Sequence, residues 1–124
     1  SLREARPDDP DTPLFWVQQA AVTFPSPREA QAFLAKSAGQ WQGCSGRVVK
    51  EANDAGPISW TYEDLSRAPD TLSQKSFQEG GGGWSCQHAL TTYANSVFEA
   101  VACGQHIDDE ASRIVAKMQQ QAKA

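Results

Sequence analysis

The stretch "GWSCQHALTTYANSVFEAVAC", residues 83–103, limits the fold more than any other part of the chain. It reads as two β-strands joined at Tyr-Ala-Asn-Ser, with β-forming and apolar residues filling both arms. Cys86 and Cys103 lie symmetrically about Ala94 and Asn95. A short hairpin loop therefore sets them directly opposite each other. Opposed residues on antiparallel strands have Cα atoms about 4.5–5.5 Å apart, and a disulfide accepts about 4.4–6.8 Å. The spacing permits a cross-strand bridge, worth about 3 kcal/mol for a loop of this size in the chain-entropy model. Other cysteine chemistry fits less well. A zinc site wants close pairs such as C-x-x-C, and the cysteines are scattered; His88 and His106 do not complete a ligand pattern. Cys86 and His88, two apart on one strand face, stand about 7 Å from each other, too far to share a proton. An oxidised hairpin implies a compartment outside the cytoplasm. Cys44 is then left over, which points to a partner outside this chain or to a buried free thiol.

The rest of the chain fits one domain around this hairpin. Its 124 residues are enough for a single core. The net charge of −4 is spread without a basic stripe, so nucleic acid is not an expected partner. No apolar run reaches the roughly 20 residues that span a bilayer, and no signal peptide is visible. Residues 1–13, acidic and rich in proline, read as an exposed flexible arm. Residues 14–24 read as a strand. Ser26 and Glu29, with Pro27 between them, form a capping box that opens a helix. Its stripe runs through Ala30, Phe33, Leu34, Ser37, Ala38, Trp41 and Cys44. Strands are expected at 46–52, 58–65, 71–79, 84–92 and 97–103, with a loop at 66–70 and a glycine link at 80–83. A second helix starts after the N-cap Asp108 and buries Ile107, Ala111, Ile114, Val115 and Met118. The order gives an α+β fold, an antiparallel β-sheet meander with helices packed on one face.

Catalysis is not expected, because no nucleophile, base and orienting group are brought together. "EGGGGW" lacks the Lys-Ser/Thr of a phosphate loop. Asp8, Asp9 and Asp11 read as a solvated arm rather than a cation site. No cofactor and no metal are expected. Ligand binding on the sheet is the better reading. Gln87, His88, Thr92 and Glu99 place polar groups on rigid, half-buried strands, and Trp16, Gln18 and Gln19 do the same on the first strand. An ordinary solvent-facing sheet surface is the plain alternative.

The combination "AVTFPSPREAQAFL", "QWQGCSGRVV", "QEGGGGWSCQHAL" and "NSVFEAVACG" resembles the PknH-like extracellular domain, over nearly the whole chain after residue 13. That family includes the sensor portion of a mycobacterial transmembrane Ser/Thr kinase and a set of envelope lipoproteins. The resemblance implies an extracytoplasmic sensor domain at 14–124, with a helix-backed antiparallel sheet, a cleft for a small-molecule or cell-envelope ligand, and no enzymatic activity. It implies a membrane-anchored parent at the cell surface, acting in signal transduction; the alternative is an envelope lipoprotein or secreted binding module without signalling output. Family domains usually begin earlier, with helical segments and a further cysteine, so the N-terminal portion is expected to be missing here. The resemblance implies that Cys44 pairs with that earlier cysteine and Cys86 with Cys103. Non-reducing peptide mapping should recover the Cys86 and Cys103 peptides linked, and linkage of Cys44 to either would overturn the hairpin register.

Overall fold

The computed structural model describes residues 2–5, 15–52, 56–68 and 71–123. Its elements are β1 (Leu2–Ala5), β2 (Phe15–Thr23), α1 (Pro27–Gln42), β3 (Val48–Glu51), β4 (Ile58–Tyr62), β5 (Ser66–Ala68), β6 (Thr71–Gln78), β7 (Trp84–Tyr93), β8 (Ser96–Gln105) and α2 (Glu110–Lys123). One antiparallel sheet runs β1-β2-β8-β7-β6-β4-β3, and β5 also pairs with β6. The α+β class and the antiparallel meander are as the sequence indicates.

The hairpin register is the mirror that the cysteines suggest. Tyr93 faces Ser96 across the turn, Cys86 faces Cys103, and the two are bridged with Cα atoms 4.0 Å apart. That close approach suits an opposed pair without backbone hydrogen bonds between its members. At the turn, Ala94 takes φ 53°, the left-handed region. Asn95 ties this turn to the end of β2: its Nδ2 donates to the Phe24 carbonyl at 2.8 Å, and the Phe24 N–H donates to the Asn95 carbonyl at 2.7 Å.

Side chains alternate across a strand, so neighbours in register share a face. One face carries Leu72, Leu90 and Val97, which are buried under Ala30, Leu34, Ala38 and Trp41 of α1. The other carries Val17, Ala89, Phe98, Ala100 and Ala102, buried under Ile107, Ala111 and Val115 of α2 and its approach. The helices therefore cover opposite faces, not the single face expected. The reason lies in the residues beneath α2. They are small or polar (Ser85, Gln87, Ala89, Thr91) and look solvent-facing in sequence, yet their small size lets a helix sit close.

Several boundaries also differ from the expectation. Leu2–Ala5 of the acidic arm pairs with β2 as an edge strand, while Asp8, Asp9 and Asp11 lie outside the described residues. Ser66–Ala68, expected as loop, rejoins β6 as β5. Between β4 and β5 the register slips by one residue, from Tyr62↔Ser76 to Ser66↔Ser73, which is a bulge within one interrupted strand. The link after β6 needs its glycines: Gly80, Gly82 and Gly83 have φ of 72°, 63° and 95°.

The capping box of α1 forms as read, with the Glu29 N–H donating to Ser26 Oγ at 3.2 Å. The start of α2 is capped differently from the Asp108 expectation. Gln87, on β7 and 2% exposed, reaches it from the sheet. Gln87 Oε1 accepts from the Ala111 and Ser112 N–H groups at 2.8 and 3.2 Å, and Nε2 donates to Asp109 Oδ1 at 3.2 Å and Ser112 Oγ at 3.1 Å. Glu110 Oε1 accepts the N–H groups of Asp108 and Asp109. Two orphan donors of the first turn, at Ala111 and Ser112, are thus met by a buried amide from the sheet. Gln87→Leu should lower stability by about 2–3 kcal/mol, read as a reduced urea midpoint at unchanged slope. A shift of less than about 0.5 kcal/mol would show that the cap contributes nothing.

Candidate functional site

Alternation places Trp16 and Gln18 of β2, Cys103, Val101 and Glu99 of β8, Cys86 and His88 of β7, Ser76 and Gln74 of β6, Tyr62 and Trp60 of β4, and Glu51 of β3 on the α1 side. α1 covers only one end of this face. Where the helix stops, a trough of about 360 Å³ opens, walled by Trp41, Cys44, Glu51, Trp60, Tyr62, Gln74, Ser76, Cys86, His88 and Val101.

The overhanging wall is fixed to the sheet. Gln74 Nε2 donates to the carbonyls of Trp41 and Glu63, both at 3.0 Å, so one buried amide joins the helix end to the β4–β5 bulge. The Gly46 N–H donates to the Tyr62 carbonyl at 2.9 Å, and the Tyr62 N–H to the Arg47 carbonyl at 2.9 Å, which closes the loop after α1 onto β4. Trp41 lies over His88 with ring centroids 4.1 Å apart and planes inclined at 34°. His88 Nε2 stands 2.7 Å from Glu99 Oε2. That hydrogen bond holds the Glu99 carboxyl below its usual value, against burial, which pushes it up. Burial raises the Tyr62 phenol, and the acidic groups of Cys44 and Glu51 raise it further. The Trp60 indole Nε1 is buried and has no hydrogen-bond partner.

Not all the residues singled out in the sequence meet here. His88 lines the trough and Glu99 stands behind it as its partner; Trp16 and Gln18 share the face on the neighbouring β2, where Gln18 is the register partner of Val101, but neither lines the trough. Thr92 shares it too, but lies beneath α1, where its Oγ1 accepts from Gln31 Nε2 at 2.8 Å. Gln19 and Gln87 alternate to the α2 side, and Gln87 is committed to the helix cap. Trp41, Glu51, Trp60, Tyr62, Gln74 and Ser76 were not singled out as site residues. Trp60 and Tyr62 carried a signal, two aromatics on one face of a strand. Trp41 was hidden because it also belongs to the apolar stripe of α1. Cys44, expected on the buried stripe, lies two residues beyond Gln42, half-buried and free, on the trough wall. Among the described residues no cluster of metal-ligating side chains occurs, and no helix is long and apolar enough to cross a membrane.

Chemically, the trough offers aromatic faces, neutral hydrogen-bonding groups and carboxylates on a rigid sheet, the features of a small-ligand site. The family model of the PknH-like extracellular domain matches residues 1–121. The serine/threonine-protein kinase PknH of Mycobacterium bovis is 40% identical over 103 residues, which are 83% of this chain and 17% of the kinase. PknH of Mycobacterium tuberculosis is likewise 40% identical over 103 residues, and the chain spans 16% of its length. The crystal structure of the extracellular domain of PknH from Mycobacterium tuberculosis superposes with a TM-score of 0.87 at 34% identity, covering 98% of this chain and 63% of that one.

The Glu99–His88 pair gives a pH test. Because the folded-state value of Glu99 is lowered, its contribution to stability is full above the ordinary value of 4.5 and is lost as pH falls through the lowered one. Both side chains are about a third or more exposed, so the contribution is no more than about 1 kcal/mol. Glu99→Gln should be less stable than the native chain at neutral pH, and the difference should shrink as pH drops below 4.5. Urea midpoints measured across that range read it directly.

Proposed function

This chain belongs to the PknH-like extracellular domain family, and from that premise we propose that it is the extracytoplasmic sensing module of a membrane Ser/Thr kinase, which takes a small-molecule or cell-envelope ligand in the trough beneath Trp41 and catalyses nothing itself. The trough carries this reading. Its volume, about 360 Å³, is in the range of small-molecule sites. Its floor is the disulfide-bridged hairpin, and its overhanging wall is held by Gln74. Such a site is preformed, so a ligand need not order it. The disulfide agrees with a position outside the cytoplasm.

For signalling, occupancy must be linked to something that moves or assembles. Trp41 stands at the end of α1, against His88 and above the bulge at 63–65, so a ligand in the trough touches a helix end and strands β3, β4, β6, β7 and β8 at once. In the parent protein, Val101→Trp would fill the trough from its floor. The expected result is a changed phosphorylation level in membranes, with the disulfide and the folded domain retained. An unchanged level in a folded variant would remove the trough from signalling. A lipobox cysteine encoded upstream of Ser1, in place of a kinase domain and a transmembrane helix, would overturn the sensor reading in favour of an envelope binding module.

A further inference from the structure

The trough is unbalanced in charge. Among the residues that line it, Glu51 carries a carboxylate and no Lys or Arg is present. His88 turns its Nε2 to Glu99, which lies on the same face. Lys50 alternates to the opposite side of β3 from Glu51. Arg47 approaches through its backbone, its N–H donating to the Cys44 carbonyl and its carbonyl accepting from the Tyr62 N–H, and it is exposed and outside the lining. The remaining wall is aromatic: Trp41, Trp60 and Tyr62. A ring face is the negative side of the aromatic quadrupole, and it attracts cations most strongly where water is partly excluded.

From this we infer that the trough takes an organic ammonium group, seated against the aromatic walls of Trp60 and Tyr62 and balanced by the Glu51 carboxylate. The inference rests on the reading of the trough as the ligand site and names the chemical class of its occupant. Among the described residues that line the trough, an anion meets no Lys or Arg. A neutral apolar ligand would leave the Glu51 carboxylate uncompensated at the rim. Quaternary ammonium recognition elsewhere uses such ring faces.

The test is a titration of this chain with choline, with neohexanol as its uncharged isostere, and with sucrose, following the indole N–H resonances of Trp41 and Trp60. Choline should shift both saturably, with a dissociation constant at least about fivefold below that of neohexanol. Glu51→Gln should weaken choline binding by at least about threefold with the unfolding midpoint unchanged, because Glu51 is exposed. Equal affinity for choline and neohexanol, choline binding indifferent to Glu51→Gln, or no response to choline each overturns the inference. A saturable response to sucrose or neohexanol alone removes the ammonium and keeps the trough as a ligand site; the Val101→Trp experiment decides the trough separately.

Discussion

The β7–β8 pairing is the constraint on which the other elements depend. These two strands are central in the sheet, with β2 and β6 as outer neighbours, and they are covered by α1 on one face and α2 on the other. A slip of one residue would exchange the faces. It would turn Gln87 away from the start of α2 and bring Leu90 and Val97 under the wrong helix. The bond between Cys86 and Cys103 forbids that slip covalently and also forms part of the trough floor. The same link therefore sets the register and the shape of the site.

Side-chain amides then attach the helices, and two of them, Gln87 and Gln74, are buried. Gln87 caps α2 from the sheet, and Gln119, farther along the same helix, donates to the Thr92 carbonyl at 2.8 Å. On the other face Gln31 reaches Thr92, and Gln74 holds the end of α1. A buried polar group is costly when unpaired and directional when paired. These amides fix where each helix lies along the sheet, which apolar contact alone leaves loose. The side chains around Trp41 inherit that precision, so the open end of α1 becomes a shaped wall instead of a fraying terminus.

Sequence patterns made the hairpin, the capping box, both helix stripes and the antiparallel class legible, because each rests on local spacing. The placement of α2 was not legible. Ser85, Gln87, Ala89 and Thr91 look like an open polar face; they are in fact covered, with hydrogen bonds and small volumes replacing the bulky apolar contacts that usually mark a buried surface. The same confusion put Gln87 among the ligand-binding candidates. His88 lies on the trough wall, and its neighbours there come from β3, β4 and the end of α1, distant in sequence. Their meeting depends on the bulge between β4 and β5 and on the Gln74 amide, neither of which leaves a periodic trace.

The turn at Ala94 has a kinetic consequence. A residue with a Cβ in the left-handed region costs about 1–2 kcal/mol, which glycine would largely avoid, so the tip of this hairpin does not favour closing by itself. Asn95 offsets that cost only when Phe24 is alongside, and Phe24 is distant in the chain. The central hairpin is therefore not a self-starting nucleus. It closes together with the end of β2, which also leads into α1, and folding must bring these remote segments into contact early, as in proteins of high contact order. The bond between Cys86 and Cys103 then holds that register covalently.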